Sequence, residues 1–357
     1  MQQSSIFTTL ALLAGASAQG ALFEQMGSVD RLAPGLDQLV AADAKVEQIG
    51  TRDGFKWTEG PVWISAGHLL FAEIPSNGIY KWTPPNNVTV FMQPSGYEGK
   101  QPYGGPEPGS NGMTVDARGR LTVAGHARRS VWRMESLTAG SGTENITVLA
   151  DSYGGKRLNS PNDLAYKSDG SLYFTDPPYG FRTQSDSDPE KEQKVNGVYR
   201  LADALQHAPG AKADAGKLTL LVSDLTRPNG IAFSPDEKYL YVNNSEPKKI
   251  WMRYPVNADG SLGKGELFFD ATSDKGVGSP DGMKVDVAGN VWSSGPGGIW
   301  IFSPEGKHLG TIRVPERVGN LTFGDSDNKT LYITASSHLY RVRVLQAGIA
   351  TPDRRHK

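Results

Sequence analysis

The chain has no cysteine among its 357 residues, which excludes a disulfide framework, a thiolate zinc site and a cysteine nucleophile. Nor does it carry an excess of either charge: 37 Lys and Arg stand against 38 Asp and Glu, a formal net charge of -1. That balance offers no polybasic field for nucleic acid and no acidic tail. No Gly-x-x-x-x-Gly-Lys loop, Gly-x-Ser-x-Gly elbow or His-Glu-x-x-His helix is present, which argues against an ATPase, a serine hydrolase of the common type and a zincin. No run reaches the roughly 18 continuous apolar residues of a membrane span, so a soluble mature protein without a membrane partner is expected. Helical patterning is confined to residues 201–207 and their Ala-rich sequel, ended by Pro209-Gly210, and reads as a surface insertion.

At the N-terminus, Leu10-Ala-Leu-Leu-Ala14 is a short apolar region, and Ala16-Ser-Ala18 is a small-residue cleavage pattern before Gln19. Residues 1–18 therefore read as a secretory signal peptide. Asn87, Asn145, Asn243, Asn320 and Asn328 each begin an N-glycosylation acceptor triplet, as expected of a secreted, extracellular glycoprotein.

The abundant residues are 42 Gly and 23 Pro, and the glycines fall in a repeat. The phrase is an Asn, Asp or Glu, then an alternating apolar strand, an Asp/Gly turn and a second apolar strand. It reads Asn111-Gly-Met-Thr-Val, Asn162-Asp-Leu-Ala-Tyr, Asn229-Gly-Ile-Ala-Phe and Asp281-Gly-Met-Lys-Val, with looser copies at Glu59-Gly-Pro-Val-Trp and Asn320-Leu-Thr-Phe. Six copies at the spacing of four-stranded blades predict an all-β fold: a six-bladed β-propeller of antiparallel blades around a central tunnel. A signal peptide (1–18), an N-terminal extension (19–48), one propeller domain (49–345) and a C-terminal tail (346–357) follow. Trp63, Trp251, Trp292 and Trp300 fall in apolar strand runs and are expected in the core between blades.

Equivalent positions of successive blades lie on a ring around the axis, so the lead residues converge at one end of the tunnel. Glu59, Asn162, Asn229 and Asp281 would offer two carboxylates and two amide carbonyls. Such hard donors suit one divalent cation, Ca²⁺ foremost, with Mg²⁺ or Mn²⁺ carrying extra waters; no soft ligand for zinc is offered, although Zn²⁺ can occupy such sites in vitro.

Thr58-Glu-Gly-Pro-Val-Trp, Ser160-Pro-Asn-Asp-Leu, Thr175-Asp-Pro-Pro-Tyr-Gly, Arg227-Pro-Asn-Gly-Ile-Ala-Phe and Ser279-Pro-Asp-Gly-Met resemble motifs of the gluconolactonase and regucalcin-type propellers. The resemblance spans roughly residues 50–345. It implies a lactonase with a divalent metal on Glu59, Asn229 and Asp281, and Asn162 as fourth ligand or substrate contact. It also implies that Asp281 is a proton donor and acceptor. Gly125-His-Ala-Arg-Arg resembles a segment near the pocket of microbial gluconolactonases, which makes His126, Arg128 and Arg129 candidates for holding substrate. Ser160 stands where animal members carry a substrate-binding Arg.

A lactone is a cyclic ester, and its carbonyl carbon opens to attack when a cation draws on its oxygen. The proton-transfer role lies with Asp281 or with a nearby unligated group such as Asp163. Asn111, Asp176 and Tyr179 complete the candidate substrate contacts. His338 in the last blade is a further candidate. The small-molecule lactone is the expected partner, and the chain is expected as a monomer or weak homodimer. Propellers acting on phosphotriesters, performing condensation, or binding without catalysis around a structural calcium are the alternatives.

Overall fold

A computed structural model describes residues 23–138, 145–213 and 217–355. The expected signal peptide lies outside the described residues. The described residues form six antiparallel sheets arranged as a propeller, with a small two-stranded sheet, Ser152–Tyr153 paired with Lys156–Arg157, beside them. The first blade is Thr58–Ile64, His68–Glu73, Gly78–Thr83 and Asn87–Met92; the second is Ser110–Val115, Leu121–Gly125, Ser130–Met134 and Ile146–Ala150. The third is Leu164–Tyr166, Leu172–Asp176, Gly197–Leu201 and Leu218–Val222; the fourth is Pro228–Phe233, Tyr239–Asn244, Ile250–Pro255 and Glu266–Asp270. Met283–Val285, Val291–Gly295, Gly298–Phe302 and His308–Arg313 make the fifth, and Val318–Gly324, Thr330–Ala335 and His338–Arg343 begin the sixth.

Val46–Thr51 completes the sixth blade by pairing with His338–Arg343, so the N-terminal chain closes the circle. The expected domain start at residue 49 therefore cuts a strand. The extension before it is also part of the sheets, since Ser28–Arg31 adds a fifth strand to the fifth blade and Glu24–Gln25 pairs with Val46–Thr51. Segment 201–207 likewise differs from a free surface insertion. It makes a single 3₁₀ turn, Ala204–Gln206, docked on the second blade: Arg133 Nη1 donates to Ala204 O at 2.9 Å, and Arg120 Nη2 to Leu205 O at 2.9 Å.

The turns follow from the repeat's own chemistry. Asp116 Oδ1 accepts the backbone N–H groups of Arg118 and Arg120 at 2.9 and 3.0 Å, closing the first hairpin of the second blade. Asp286 does the same for Ala288 and Asn290 in the fifth, at 2.9 Å each. Between blades the core is aromatic and aliphatic: Trp82, Trp132, Trp251 and Trp292 are fully buried, Trp63 stacks on Tyr332 at 5.1 Å, and Trp251 stacks on Trp300 at 5.8 Å.

The glycine after the lead residue has a steric cause. Gly112 N donates to Asn162 O at 2.8 Å and Gly230 N to Asp281 O at 3.0 Å, so each inner strand hangs on the next blade's lead residue. A Cβ on Gly112 would stand 2.4 Å from Asn162 O, and one on Gly230 2.2 Å from Asp281 O. The same link from Gly282 N reaches Gly319 O at 2.8 Å. The sixth lead position is thus Gly319, one residue before the expected Asn320, and it brings no side-chain oxygen to the ring.

Asn243, Asn320 and Asn328 are buried, which rules out glycans there in the folded protein. Asn87 is exposed. No described helix is long and apolar enough to cross a membrane. The C-terminal segment runs back beneath the propeller, with Ile349 N donating to Val285 O at 3.0 Å. It helps line a cavity of about 610 Å³ at that end, whose wall combines apolar strand residues with Asp236, Glu237, Lys284, Arg354 and Arg355.

Candidate functional site

The chemistry gathers at the opposite mouth. Glu59, Asn111, Asn162, Asn229 and Asp281, one from each of five blades, line a single cavity of about 380 Å³. This cavity is smaller than the one beneath the tail, but here one polar side chain from each of five blades meets the others. Glu59, Asn111 and Asn229 lie where the pairing of the innermost strand slips its register, between Glu59 and Val62, Ser110 and Met113, and Pro228 and Ile231. Such bulges re-aim side chains, here toward the tunnel axis. Asn162 and Asp281 stand two residues before their short inner strands and reach the same place.

Hydrogen bonds orient the amides. Asn229 Nδ2 donates to Ser245 Oγ at 3.1 Å, and that hydroxyl donates to Pro280 O at 2.7 Å. With its amino group engaged, Asn229 turns Oδ1 away, and that buried oxygen has no partner in the protein. Asn111 is held similarly: Nδ2 lies 3.1 Å from His126 Nε2, and its buried Oδ1 is also without a partner.

The carboxylates are crowded. Glu59 Oε2 accepts the Gly60 N–H at 2.8 Å, yet burial above all, with the negative charges of Asp163 and Glu107, pushes its pKa up to about 8. Asp281, open to the cavity on one side, is also raised well above the usual carboxylate range, first by burial and then by Glu59, with Arg317 opposing. Among the described residues no three His, Cys, Asp or Glu side chains cluster for an ion, so the donor set depends on amides. Two mutually repelling carboxylates and unpartnered amide oxygens fit a divalent cation, which would relieve the repulsion and satisfy the oxygens.

Other expected residues fall elsewhere. Asp163 is buried beneath the ring rather than on the cavity wall: Oδ1 accepts the Leu164 N–H at 2.8 Å, Oδ2 lies 3.9 Å from Lys284 Nζ, and burial raises its pKa. As a base for cavity water Asp163 is out of place. Asp176 is fully buried and clamps a loop, accepting the N–H groups of Asn159 and Ser160 at 2.8 Å each, while burial pushes its pKa up to about 7. It holds the backbone and does not face the cavity.

Arg128 pairs with Glu98 at the surface, and Arg129 packs over Phe181 at 5.1 Å with Nε donating to Leu158 O at 2.8 Å. His126 is fully buried behind Asn111 and makes no direct cavity contact. His338 Nδ1 meets Glu316 Oε1 at 2.8 Å, also off the wall. Tyr179 does line the cavity, with the Arg227 guanidinium 6.0 Å from its ring centre.

Sequence reasoning missed Glu107 and Arg317. Glu107 sits on the wall, where Gln184 Nε2 donates to its Oε1 at 2.8 Å. Arg317 projects over the Trp57 ring at 5.2 Å, and both line the cavity. Each comes from a loop outside the repeat's phase; the Pro106-Glu-Pro108 triplet was the only local sign of a fixed carboxylate.

Comparison with known proteins agrees with this geometry. The chain is 39% identical to a gluconolactonase of Zymomonas mobilis subsp. mobilis over 333 residues, 90% of this chain and 88% of that one. A solved gluconolactonase from Xanthomonas campestris superposes with a TM-score of 0.72 at 30% identity, covering 88% of this chain and 94% of that chain. Regucalcin of Agrobacterium tumefaciens, described as a calcium-binding protein, shares the fold with a TM-score of 0.61 at 18% identity, over 85% of this chain and 97% of that chain. The family profile of the SMP-30/gluconolactonase/LRE-like region matches residues 57–337. That match embraces nearly the whole ring of blades, and the chain belongs to the SMP-30/gluconolactonase/LRE-like family.

Proposed function

We propose that this protein is a lactonase that opens a cyclic ester by hydrolysis at the mouth of its tunnel, with a divalent cation, Ca²⁺ foremost, seated on Glu59, Asn162, Asn229 and Asp281. One observation carries the reading: two carboxylates with raised pKa and an unpartnered amide oxygen, from three different blades, converge in one small cavity. When bound, the cation polarises the lactone carbonyl and steadies the negative charge that develops on its oxygen.

This chain's own residues supply the rest. Asp281 is the ring carboxylate partly exposed to the cavity, so its oxygen can take a proton from the attacking water. The water oxygen bonds to the carbonyl carbon, the ring C–O bond breaks, and the same proton passes to the departing ring oxygen. One water is consumed and one hydroxy acid is released. Trp57 and Tyr179 wall the cavity and limit water around the reacting ester, while Arg317 tempers the charge of Asp281.

We also read the mature chain as secreted, supported by the Leu10-to-Ala18 pattern and by the exposed acceptor Asn87. Acid release from glucono-δ-lactone and from a panel of other lactones, followed beside a phosphotriester, tests the activity. Rapid lactone opening with the phosphotriester untouched is expected; the reverse would assign the site to phosphoester chemistry.

A further inference from the structure

We propose that Arg317 is a product-recognition residue: its guanidinium receives the carboxylate that hydrolysis creates, so that the cavity mouth tells the released hydroxy acid from the neutral lactone. This rests on the lactonase reading and adds to it a group that binds product. Among the described residues, the charged side chains on the cavity wall are Glu59, Glu107, Glu246, Asp281 and Arg317, and Arg317 alone is a cation. No hydrogen bond or ion pair engages its guanidinium within the described chain, and Asp281 feels its charge without a bond between them. Arg227, beside Tyr179, differs: its Nη1 donates to Asp186 Oδ2 at 2.6 Å. The N–H donors of Arg317 are therefore unspent.

The group is held in place before any ligand arrives. Ser336 donates from its backbone N and its Oγ to Arg317 O at 3.0 and 3.3 Å, and the preceding Glu316 accepts the Ser337 hydroxyl at 2.7 Å. The guanidinium carbon lies 5.2 Å from the Trp57 ring centre, and Trp57 is itself tied down, its N–H donating to Glu73 Oε1 at 3.1 Å. A cation resting on an aromatic face keeps its charge and its outward donors available. A planar guanidinium matches the two oxygens of a carboxylate, and a group already ordered loses little freedom in binding. The lactone offers no such anion, but ring opening yields a carboxylic acid that is ionised at neutral pH. Glu107 and Glu246 repel that new charge, which leaves Arg317 as the side chain on the wall that attracts it.

The test measures D-gluconate as an inhibitor of glucono-δ-lactone hydrolysis at saturating Ca²⁺, giving Ki for the product beside KM for the lactone, in the full chain and in Arg317→Gln and Arg317→Lys. Arg317→Gln is expected to raise Ki/KM by roughly 10-fold, and Arg317→Lys, which keeps the charge, to stay within about 3-fold of wild type. Arg317 is exposed, so added salt should weaken gluconate inhibition in the wild type far more than in Arg317→Gln. A ratio unchanged in Arg317→Gln, whether both constants move together or neither moves, would overturn the proposal. Should the wild-type chain open no lactone, the lactonase reading fails by itself, and the Arg317 Nε–H resonance of the cation-free protein judges this one. A shift on titration with gluconate and none with glucose upholds it; no shift with gluconate, or equal shifts with both, overturns it.

Discussion

A Cβ built on Gly319 would stand 2.5 Å from Glu59 Oε1, so the sixth blade contributes room where the other five contribute oxygen. Gly319 is not among the glycines with left-handed backbone, and Ala fits its main chain without strain. Gly319→Ala is therefore expected to fold, to displace the Glu59 carboxylate and to press lightly on Thr58 O, 3.1 Å from the added carbon. Cation affinity, measured by calorimetric titration with Ca²⁺, should fall about 10- to 100-fold.

The pKa of Glu59, pushed to about 8 by burial and its acidic neighbours, ties stability to pH. In the cation-free protein the folded state holds this proton more tightly than the unfolded chain, whose Glu titrates at 4.5. The group's contribution is thus fully present below 4.5 and is lost as pH rises through 8. Thermal melts in a chelator should show Tm falling across that window. Ca²⁺ should cancel the fall, because binding requires the deprotonated form and gains affinity as pH rises.

Asp281→Asn keeps an oxygen donor on the ring and removes the proton acceptor. Turnover should fall by about 10²- to 10⁴-fold with Ca²⁺ at saturation. Asp163→Asn, off the cavity wall, should retain most of its turnover. Steady-state acid release distinguishes the two, and the opposite ranking would move the base to Asp163.

Asn243 ties the fourth blade to the fifth: its Oδ1 accepts the Gly230 N–H at 3.0 Å and its Nδ2 donates to Asp281 O at 2.6 Å. Asn243→Ala removes both bonds while Gly230 N–H and Asp281 O still hold each other, at a cost of roughly 0.5–1.5 kcal/mol for each bond lost. Chemical denaturation should show the lowered midpoint with an unchanged slope.

The repeat was legible because its glycine is a steric demand: Gly112 and Gly230 must let the next blade's backbone approach, so the phrase recurs wherever a blade begins. The converging set Glu59, Asn162, Asn229 and Asp281 followed from that phase. Asn320 slipped by one because the sixth blade puts a bare Gly319 at the lead position and tucks the amide beneath, where Asn320 Oδ1 accepts the Leu321 N–H just as Asp163 Oδ1 accepts that of Leu164. Glu107 and Arg317 were illegible because loops carry them, outside any period. Ser28–Arg31 was missed for a related reason, since its partner strand His308–Arg313 lies far away in sequence and no turn joins them. His126 and Asp176 were expected on the wall, and local sequence cannot tell a polar group that faces the cavity from one that holds another in place.

The most direct measurement is hydrolysis of glucono-δ-lactone by the purified protein before and after complete chelation, with Ca²⁺ then restored, in the wild type and in Glu59→Gln. Loss of hydrolysis on chelation, full recovery with Ca²⁺ in the wild type, and recovery in Glu59→Gln only at far higher Ca²⁺ are predicted. Undiminished lactone opening in the chelated wild type would contradict a cation held by this ring.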